Sequence, residues 1–201
     1  MSQRNRWPAL LIALLCLAAL AGCASTPPSE FYLLTAAGEE ASGPGTASGL
    51  CVHVEPVSLP EYLNRPQLVT RDDAGGLRLV EFHRWAEPLE EAVPRVLARN
   101  LAAELRTPCV FAPRESARTP ADYRVFLNLR RLDGQPGREV ALQALWTVTP
   151  LDKDLPPTVK SSRITEPTGS HAYEHYVSAT ARALAELSRE IAAEIQRMEG
   201  P

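Results

Sequence analysis

The residues best suited to covalent chemistry form the sequence Leu-Ala-Gly-Cys at positions 20–23, at the end of an apolar run. Arg4 and Arg6 precede that run. A basic start, an apolar stretch and small residues at a cleavage point are the three parts of a secretory signal peptide. The thiol of Cys23 can form a thioether to diacylglycerol, and the freed α-amino group can take an acyl chain such as palmitate. We therefore expect a signal peptide over residues 1–22 and a mature chain that begins at lipidated Cys23.

Acyl chains at Cys23 predict a membrane anchor without a spanning helix. Each buried CH2 contributes about 0.8 kcal/mol, so two or three chains hold a domain at a bilayer where one chain holds it weakly. The alternatives are a transmembrane anchor or an ordinary signal that ends before a cysteine. The apolar run is shorter than the ~20 residues of a spanning helix, and the residues after it favour a tether over residues 23–30. An aspartate after the acylated cysteine commonly retains lipoproteins at the inner membrane, so Ala24 favours the outer membrane.

Two further cysteines remain for the folded domain, because Cys16 leaves with the signal peptide and Cys23 carries lipid. In an oxidising compartment, Cys51 and Cys109 favour a disulfide. Closing a loop of that length contributes roughly 4 to 5 kcal/mol by the chain-entropy relation, less any strain. The alternative is two buried free thiols on separate strands, and the sequence leaves both open.

Patterns that indicate catalysis or cofactor binding are weak in this chain. The histidines are scattered, and only His171 and His175 stand one helical turn apart. They would need a third ligand on the same side to bind a metal. The sequence has no Gly-x-Ser-x-Gly elbow, phosphate loop or dinucleotide fingerprint. We expect no metal, no cofactor and no enzyme activity.

The composition predicts one globular domain. Removing residues 1–22 from the 201 of the chain leaves 179, and 45% of the whole chain is hydrophobic, which suits a single core. Loss of Arg4 and Arg6 takes the formal net charge from −3 to −5. A negative charge of this size disfavours nucleic acid as a partner.

Alternating and β-branched stretches predict a series of strands. Residues 72–76 predict a tight turn between two of them, and residues 134–137 predict a second hairpin. Glycine- and serine-rich residues 38–49 predict a flexible loop. The predicted strands are 31–35, 51–57, 67–71, 77–82, 109–111, 123–130, 139–148 and 159–165.

Two apolar stripes at three- and four-residue spacing predict helices over about 87–106 and 171–198. Pro88 suits the first turn of the first helix, whereas Pro94 predicts a kink or a lost hydrogen bond unless the first turn absorbs the defect. The strands before and after this helix suggest a crossover connection. Together the elements predict an α+β fold, in which a mixed sheet is packed by the two helices.

Three motifs carry a resemblance to a known family, at residues 31–34, 54–71 and 84–89. They read Phe-Tyr-Leu-Leu, then Val-Glu-Pro-Val-Ser-Leu-Pro-Glu-Tyr-Leu-Asn-Arg-Pro-Gln-Leu-Val-Thr-Arg, then Arg-Trp-Ala-Glu-Pro-Leu. With the lipid-attachment sequence, they resemble the PqiC (YmbA) family of ABC-type transport auxiliary lipoproteins. The resemblance assigns residues 31–201 to one auxiliary domain.

The resemblance implies a function in binding rather than catalysis. It implies an outer-membrane lipoprotein that faces the periplasm, forms rings of identical subunits and partners a mammalian-cell-entry (MCE) tunnel protein, similar to PqiB, in lipid transport and membrane integrity. Related auxiliary lipoproteins accompany toluene-tolerance-type ABC transporters, which makes these an alternative partner system. A structural lipoprotein of envelope assembly and a periplasmic hydrolase are further alternatives.

Five residues in or beside the middle motifs are candidates for a partner or oligomer interface: Tyr62, Leu63, Arg65, Arg71 and Trp85. Tyr62 and Leu63 lie between prolines that fix a turn, so their alternative role is apolar support of the fold. The two arginines could pair with Glu61 or with a neighbouring subunit, although an exposed pair contributes less than about 1 kcal/mol. Trp85 is an interface anchor or, alternatively, a core tryptophan that caps the sheet.

Overall fold

The computed structural model describes residues 27–37, 49–115, 119–151 and 154–200. Cys23, the signal peptide and residues 38–48 of the predicted loop lie outside these ranges. Within them the chain forms strands and two long helices in one domain, which confirms the predicted α+β class. The elements are β1 (Glu30–Tyr32), β2 (Val52–Val54), β3 (Gln67–Arg71), β4 (Leu77–Trp85), α1 (Leu89–Leu105), β5 (Val110–Phe111), β6 (Tyr123–Gln135), β7 (Glu139–Pro150), β8 (Thr158–Pro167) and α2 (Tyr173–Glu199).

The described strands are divided between two sheets, where the sequence suggested one. The larger has the order β5-β2-β6-β7-β8, and the smaller has the order β1-β4-β3. In the larger sheet β2 runs parallel to both neighbours, whereas β6, β7 and β8 are antiparallel. The two predicted hairpins, β3–β4 and β6–β7, are confirmed. Since β4 and β5 belong to different sheets, the predicted crossover through α1 joins two sheets rather than two strands of one sheet.

The core lies between the five-stranded sheet and the two helices. Residues of β6 alternate between buried and exposed from Tyr123 to Arg130, as a strand with one covered face requires. Helix α2 packs on β7 and β8, and α1 packs on β2 and β5 and against α2. The predicted apolar stripe of α2 is fully buried at Leu184, Leu187 and Ile191. Among the described residues, no helix is both long and apolar enough to cross a membrane.

Helix α1 continues through its internal proline. Pro94 is buried as the sixth residue of the helix. The hydrogen bond that it cannot donate would go to the carbonyl of Glu90, four residues earlier in the first turn. The helix ends at Arg106, whose φ of 53° lies in the left-handed region. The helix therefore continues without the hydrogen bond from position 94, and a lost hydrogen bond is one of the outcomes predicted from the sequence.

Strand β6 has a bulge between Leu129 and Arg131, and the burial pattern of the strand changes there. Beyond it, three consecutive residues, Leu132, Asp133 and Gly134, are all buried. A Cβ on Gly134 would meet the Glu139 carbonyl oxygen at 2.0 Å, so only glycine permits this close approach. Strand β3 of the smaller sheet packs against β6. The end of β6 is therefore where the two sheets meet.

Candidate functional site

Among the described residues, a concentrated group of charges surrounds the carboxylate of Asp133, whose side chain is fully buried. Arg71 donates through Nε to Oδ1 at 2.5 Å and through Nη2 to Oδ2 at 3.0 Å. Arg131 donates to Oδ1 at 2.8 Å, and the Tyr62 hydroxyl donates to Oδ2 at 2.7 Å. We call these four residues the Asp133 cluster. Because each carboxylate oxygen accepts two hydrogen bonds, the buried charge is fully satisfied.

The pKa values in the Asp133 cluster favour a fixed pattern of charge. Burial would raise the pKa of Asp133, but the hydrogen bonds from Arg71, Tyr62 and Arg131 outweigh it and lower that pKa below its ordinary value. Burial, followed by the bond to Asp133, raises the pKa of Tyr62 to about 12. The bond to Asp133 also raises the pKa of Arg71. The carboxylate is therefore ionised at neutral pH and engaged on both oxygens, which suits a structural role.

The Asp133 cluster connects the two sheets. Arg71 ends β3 in the smaller sheet, whereas Asp133 and Arg131 lie on β6 in the larger one. Tyr62 reaches the same carboxylate from a 3-10 turn at Glu61–Leu63. The sequence suggested Glu61 or a neighbouring subunit as the partner of Arg71, but the structure pairs Arg71 with Asp133. The sequence did not predict Asp133 because two of its three partners, Arg71 and Tyr62, are more than sixty residues away. Its local signal is an acid beside glycine in an apolar strand, two residues after Arg131.

The other candidate interface residues are also largely turned into the fold. Leu63 is 3% exposed and Trp85 is 7% exposed. The Trp85 amide donates to the Pro66 carbonyl at 2.7 Å, which holds the end of β4 beside the start of β3. Arg65 is half-buried, and its Nε has no hydrogen-bond partner among the described residues. These positions fit the structural alternatives for Leu63 and Trp85.

Cys51 and Cys109 form a disulfide, with their Cα atoms 4.6 Å apart. Each cysteine directly precedes its strand, and the next residues, Val52 and Val110, are paired in the parallel ladder. The Val52 amide also donates to the Cys109 carbonyl at 2.8 Å. The bridge therefore fixes the β2–β5 end of the larger sheet, which is the first of the two alternatives that the sequence left open.

The larger sheet has a second face, turned away from the helices, that leaves apolar side chains exposed. Phe126 is 44% exposed and Val159 is 60% exposed. Register places both beside Thr147, and the half-buried Leu145 lies in the next row. We call this region the open sheet face; its exposed arginines are Arg124, Arg130 and Arg163. Alternation along the sequence shows which side chains point outward, but not that they remain uncovered.

A cleft of about 390 Å³ lies beside the first half of α1, and its lining has four glutamates and two arginines. Glu87 pairs with Arg95, and Glu91 pairs with Arg114 at 3.4 Å. Elsewhere, His171 and His175 acquire no third ligand: the described ranges hold no group of three histidine, cysteine or acidic side chains able to bind a metal. The cleft therefore contributes ion pairs to the fold and no assembled metal site.

Solved structures share this fold. An uncharacterised protein of known crystal structure is 18% identical, with a TM-score of 0.68 over 84% of this chain and 99% of that chain. A Xanthomonas campestris protein of the DUF330 family is 16% identical, with a TM-score of 0.60 over 82% and 93% of the two chains. At these identities the likeness shows the fold alone. No curated protein matches the sequence significantly.

The described residues form one α+β domain, and the sequence assigns that domain to a family. The family model for the ABC-type transport auxiliary lipoprotein component matches residues 32–192, which is most of the chain. The chain belongs to this family. It is therefore an auxiliary component of ABC-type transport that is anchored by lipid to a membrane of the cell envelope.

Proposed function

We propose that the chain is the outer-membrane lipoprotein of an MCE-type intermembrane lipid transport system, in which it docks the periplasmic tunnel protein. The observation that carries the proposal is the family match over residues 32–192 directly downstream of the Leu-Ala-Gly-Cys sequence. The motifs at residues 54–71 and 84–89 support the PqiC-like branch of the family. Docking at the outer membrane would support membrane integrity by giving transported lipid a defined end point.

Anchoring begins at Cys23 in this proposal. Acyl chains on its thiol and amino group enter the inner leaflet of the outer membrane, and two or three chains suffice for stable attachment. Ala24 supports outer-membrane delivery because it lacks the acidic side chain that commonly retains lipoproteins at the inner membrane. The short tether before Glu30 then keeps the folded domain close to the bilayer.

Docking uses the open sheet face. Phe126 and Val159 give it an apolar centre, and three exposed arginines lie on the same face. One of them, Arg124, also pairs with Glu55 at 3.5 Å. An interface of this kind fits a partner that offers apolar side chains ringed by carboxylates, because apolar cores and complementary charged rims characterise protein interfaces. The domain then acts by binding, without a catalytic step. Copies of the domain assemble as a homo-oligomer around the end of the tunnel.

A pull-down of the acylated full chain from native membranes tests this function. The unaltered chain is expected to recover an MCE tunnel subunit, and Phe126→Asp with Val159→Asp to recover much less, because two carboxylates would replace apolar contacts. Leu155→Asp is the matched control, since Leu155 is 43% exposed in the loop before β8. Failure of the unaltered chain to recover a tunnel subunit would contradict the proposal.

The family description itself favours a second candidate, because it specifies ABC-type transport without specifying an MCE partner. An auxiliary lipoprotein of a toluene-tolerance-type transporter would recover a permease and an ATPase in the same pull-down, without the outer-membrane end of a tunnel. Neighbouring genes distinguish the two as well, since an MCE gene beside this one supports the first candidate.

A further inference from the structure

Exposed apolar side chains lie at two places on the smaller sheet, at β1, where the tether joins the domain, and at the start of β4. Phe31 pairs with Arg84, so these two places are separated along β4 by the residues between Leu79 and Arg84. Among the described residues, eight large apolar side chains are exposed, and four of them belong to the smaller sheet or the segment that continues it. Their exposed fractions are 64% for Phe31, 52% for Leu33, 45% for Leu77 and 49% for Leu79. We call these four residues the tether-side patch.

Alternation along β1 sets the outward direction of Phe31 and Leu33. Leu34 is fully buried, and Tyr32 packs against the core. The Tyr32 hydroxyl donates to Glu30 at 2.6 Å and lies 2.8 Å from Nδ1 of His83. Because these contacts hold the even-numbered residues against the fold, the odd-numbered residues point away from it.

The position of the lipid anchor restricts what this patch can meet. Six residues separate Cys23 from Glu30, so a fully extended tether spans at most about 25 Å. Strand β1 runs parallel to β4, with Glu30 beside His83. The chain therefore reaches β1 from the end of the sheet at which Leu77 begins β4. An anchor in the bilayer therefore keeps Glu30 within about 25 Å of the lipid headgroups, which form a layer roughly 5 to 8 Å thick on each side. A lipid surface is thus within reach of the smaller sheet.

We propose that the tether-side patch inserts into the headgroup region of the membrane that holds Cys23, so that the smaller sheet rests on the bilayer and orients the domain. The proposal rests on the proposed lipidation of Cys23. The smaller sheet is expected to contact lipid because the tether length places a lipid surface within reach, and apolar side chains beside a lipid anchor add area to membrane attachment.

The charges around the tether-side patch permit this contact. Arg78 stands between Leu77 and Leu79, and its side chain is 71% exposed, so its stem can lie along the interface while its guanidinium meets lipid phosphates. Two of the three nearby carboxylates have arginine partners: Asp72 accepts from Arg78 at 3.3 Å, and Glu81 accepts from Arg84 at 3.0 Å. The third, Glu30, accepts from the Tyr32 hydroxyl at 2.6 Å. The two arginine pairs reduce the repulsion between the patch and an anionic membrane.

Tryptophan reporters in the acylated full chain test the contact. The probe membrane is a vesicle of phosphatidylethanolamine and phosphatidylglycerol in which some acyl chains carry a nitroxide quencher. The native Trp85 and Trp146 are 7% and 2% exposed, so they supply a constant background. Phe31→Trp and Leu79→Trp report on the tether-side patch. Val159→Trp is the matched control, because Val159 is equally exposed on the larger sheet.

Phe31→Trp and Leu79→Trp are expected to shift their emission to shorter wavelength on vesicles and to lose intensity to the quencher, whereas Val159→Trp changes in neither respect. Vesicle-bound protein whose three reporters respond alike would overturn the proposal. If the emission of a patch reporter shifts with protein concentration in detergent but is not quenched on vesicles, the proposal is overturned and the patch is a contact between copies of the chain. The membrane contact is also overturned if the acylated chain does not float with the vesicles although mass spectrometry shows its acyl chains. If mass spectrometry finds no lipid group, the proposed function is contradicted instead.

Discussion

The two sheets differ in the interactions that stabilise them. The five-stranded sheet has strands of up to 13 residues, one face under two helices and a disulfide at its β2–β5 end. The three-stranded sheet has strands of 3, 5 and 9 residues and leaves Leu77 and Leu79 exposed. Its β3 strand is tied to the larger sheet through the buried charge of Asp133. Apolar burial stabilises both sheets, because Leu68, Val69 and Trp85 of the smaller sheet also belong to the core. The position of the smaller sheet against β6 depends in addition on the directional contacts of Asp133.

This difference explains why the middle motifs look functional in sequence and structural in three dimensions. A buried carboxylate requires partners at fixed positions, because an unpaired charge in the interior is strongly unfavourable. Tyr62 and Arg71 are those partners. Substitutions that act on one sheet alone can therefore separate the two kinds of stabilisation.

The largest effect is expected from removing the disulfide of the larger sheet. Cys51→Ser with Cys109→Ser should lower the free energy of unfolding by about 4 kcal/mol, because the bridge closes a loop of 58 residues. Urea unfolding measures the change, and hydrogen exchange should rise first at β2 and β5. The single exposed substitution Asp154→Asn serves as a control. Equal stability with and without the cysteines would show that helix packing alone holds this end of the sheet.

The next effect concerns the smaller sheet. Asp133→Asn removes the charge shared by Arg71 and Arg131 and should cost about 3 kcal/mol, since a buried ion pair loses one partner. Hydrogen exchange is expected to increase in β3 and β4 while β7 stays protected. An even loss of protection over both sheets would refute the idea that the Asp133 cluster acts locally.

Acid should weaken the same connection. Because the pKa of Asp133 is lowered in the folded state, its contribution is fully present above the ordinary aspartate pKa of about 3.9 and is lost as pH falls through the folded value. The pKa of Glu194 on α2 is also lowered in the folded state, to about 2, by hydrogen bonds from Arg197 and Lys160. Unfolding free energy measured between pH 5 and pH 2 should fall less steeply for Asp133→Asn than for the unaltered chain. Identical slopes would mean that Asp133 does not titrate with folding.

A smaller loss is expected from Tyr62→Phe. It removes one charge-assisted hydrogen bond while both arginines remain, so the expected cost is about 1.5 kcal/mol. Denaturant unfolding of Tyr62→Phe, Asp133→Asn and the double variant forms a cycle. Additive losses in that cycle would argue that Tyr62 and Asp133 do not interact.

The smallest effect on stability is expected from a substitution on the open sheet face. Val159→Ser should change the free energy of unfolding by less than about 0.5 kcal/mol, because Val159 is 60% exposed. It should nevertheless reduce recovery of the transport partner. A large loss of stability would show that Val159 belongs to the fold rather than to a docking surface.

Local patterns predicted the elements well. The hairpins at Asp72–Gly76 and near Gly137, and the stripes of both helices, depend on neighbours in sequence, so the sequence was sufficient to find them. The division into two sheets depends on long-range packing at the β6 bulge, and Asp133 acquires its partners only there. The open sheet face escaped prediction for a related reason, since Phe126 alternates like any strand residue and only the tertiary fold leaves it uncovered.

In the proposed arrangement, one sheet faces the membrane while the other docks the transporter. Photo-crosslinking in intact cells tests it most directly, with a photoreactive amino acid placed at Phe31 or at Phe126 of the acylated chain. The account predicts lipid adducts from position 31 and a tunnel-protein adduct from position 126. A tunnel-protein adduct from position 31 with none from position 126 would contradict it.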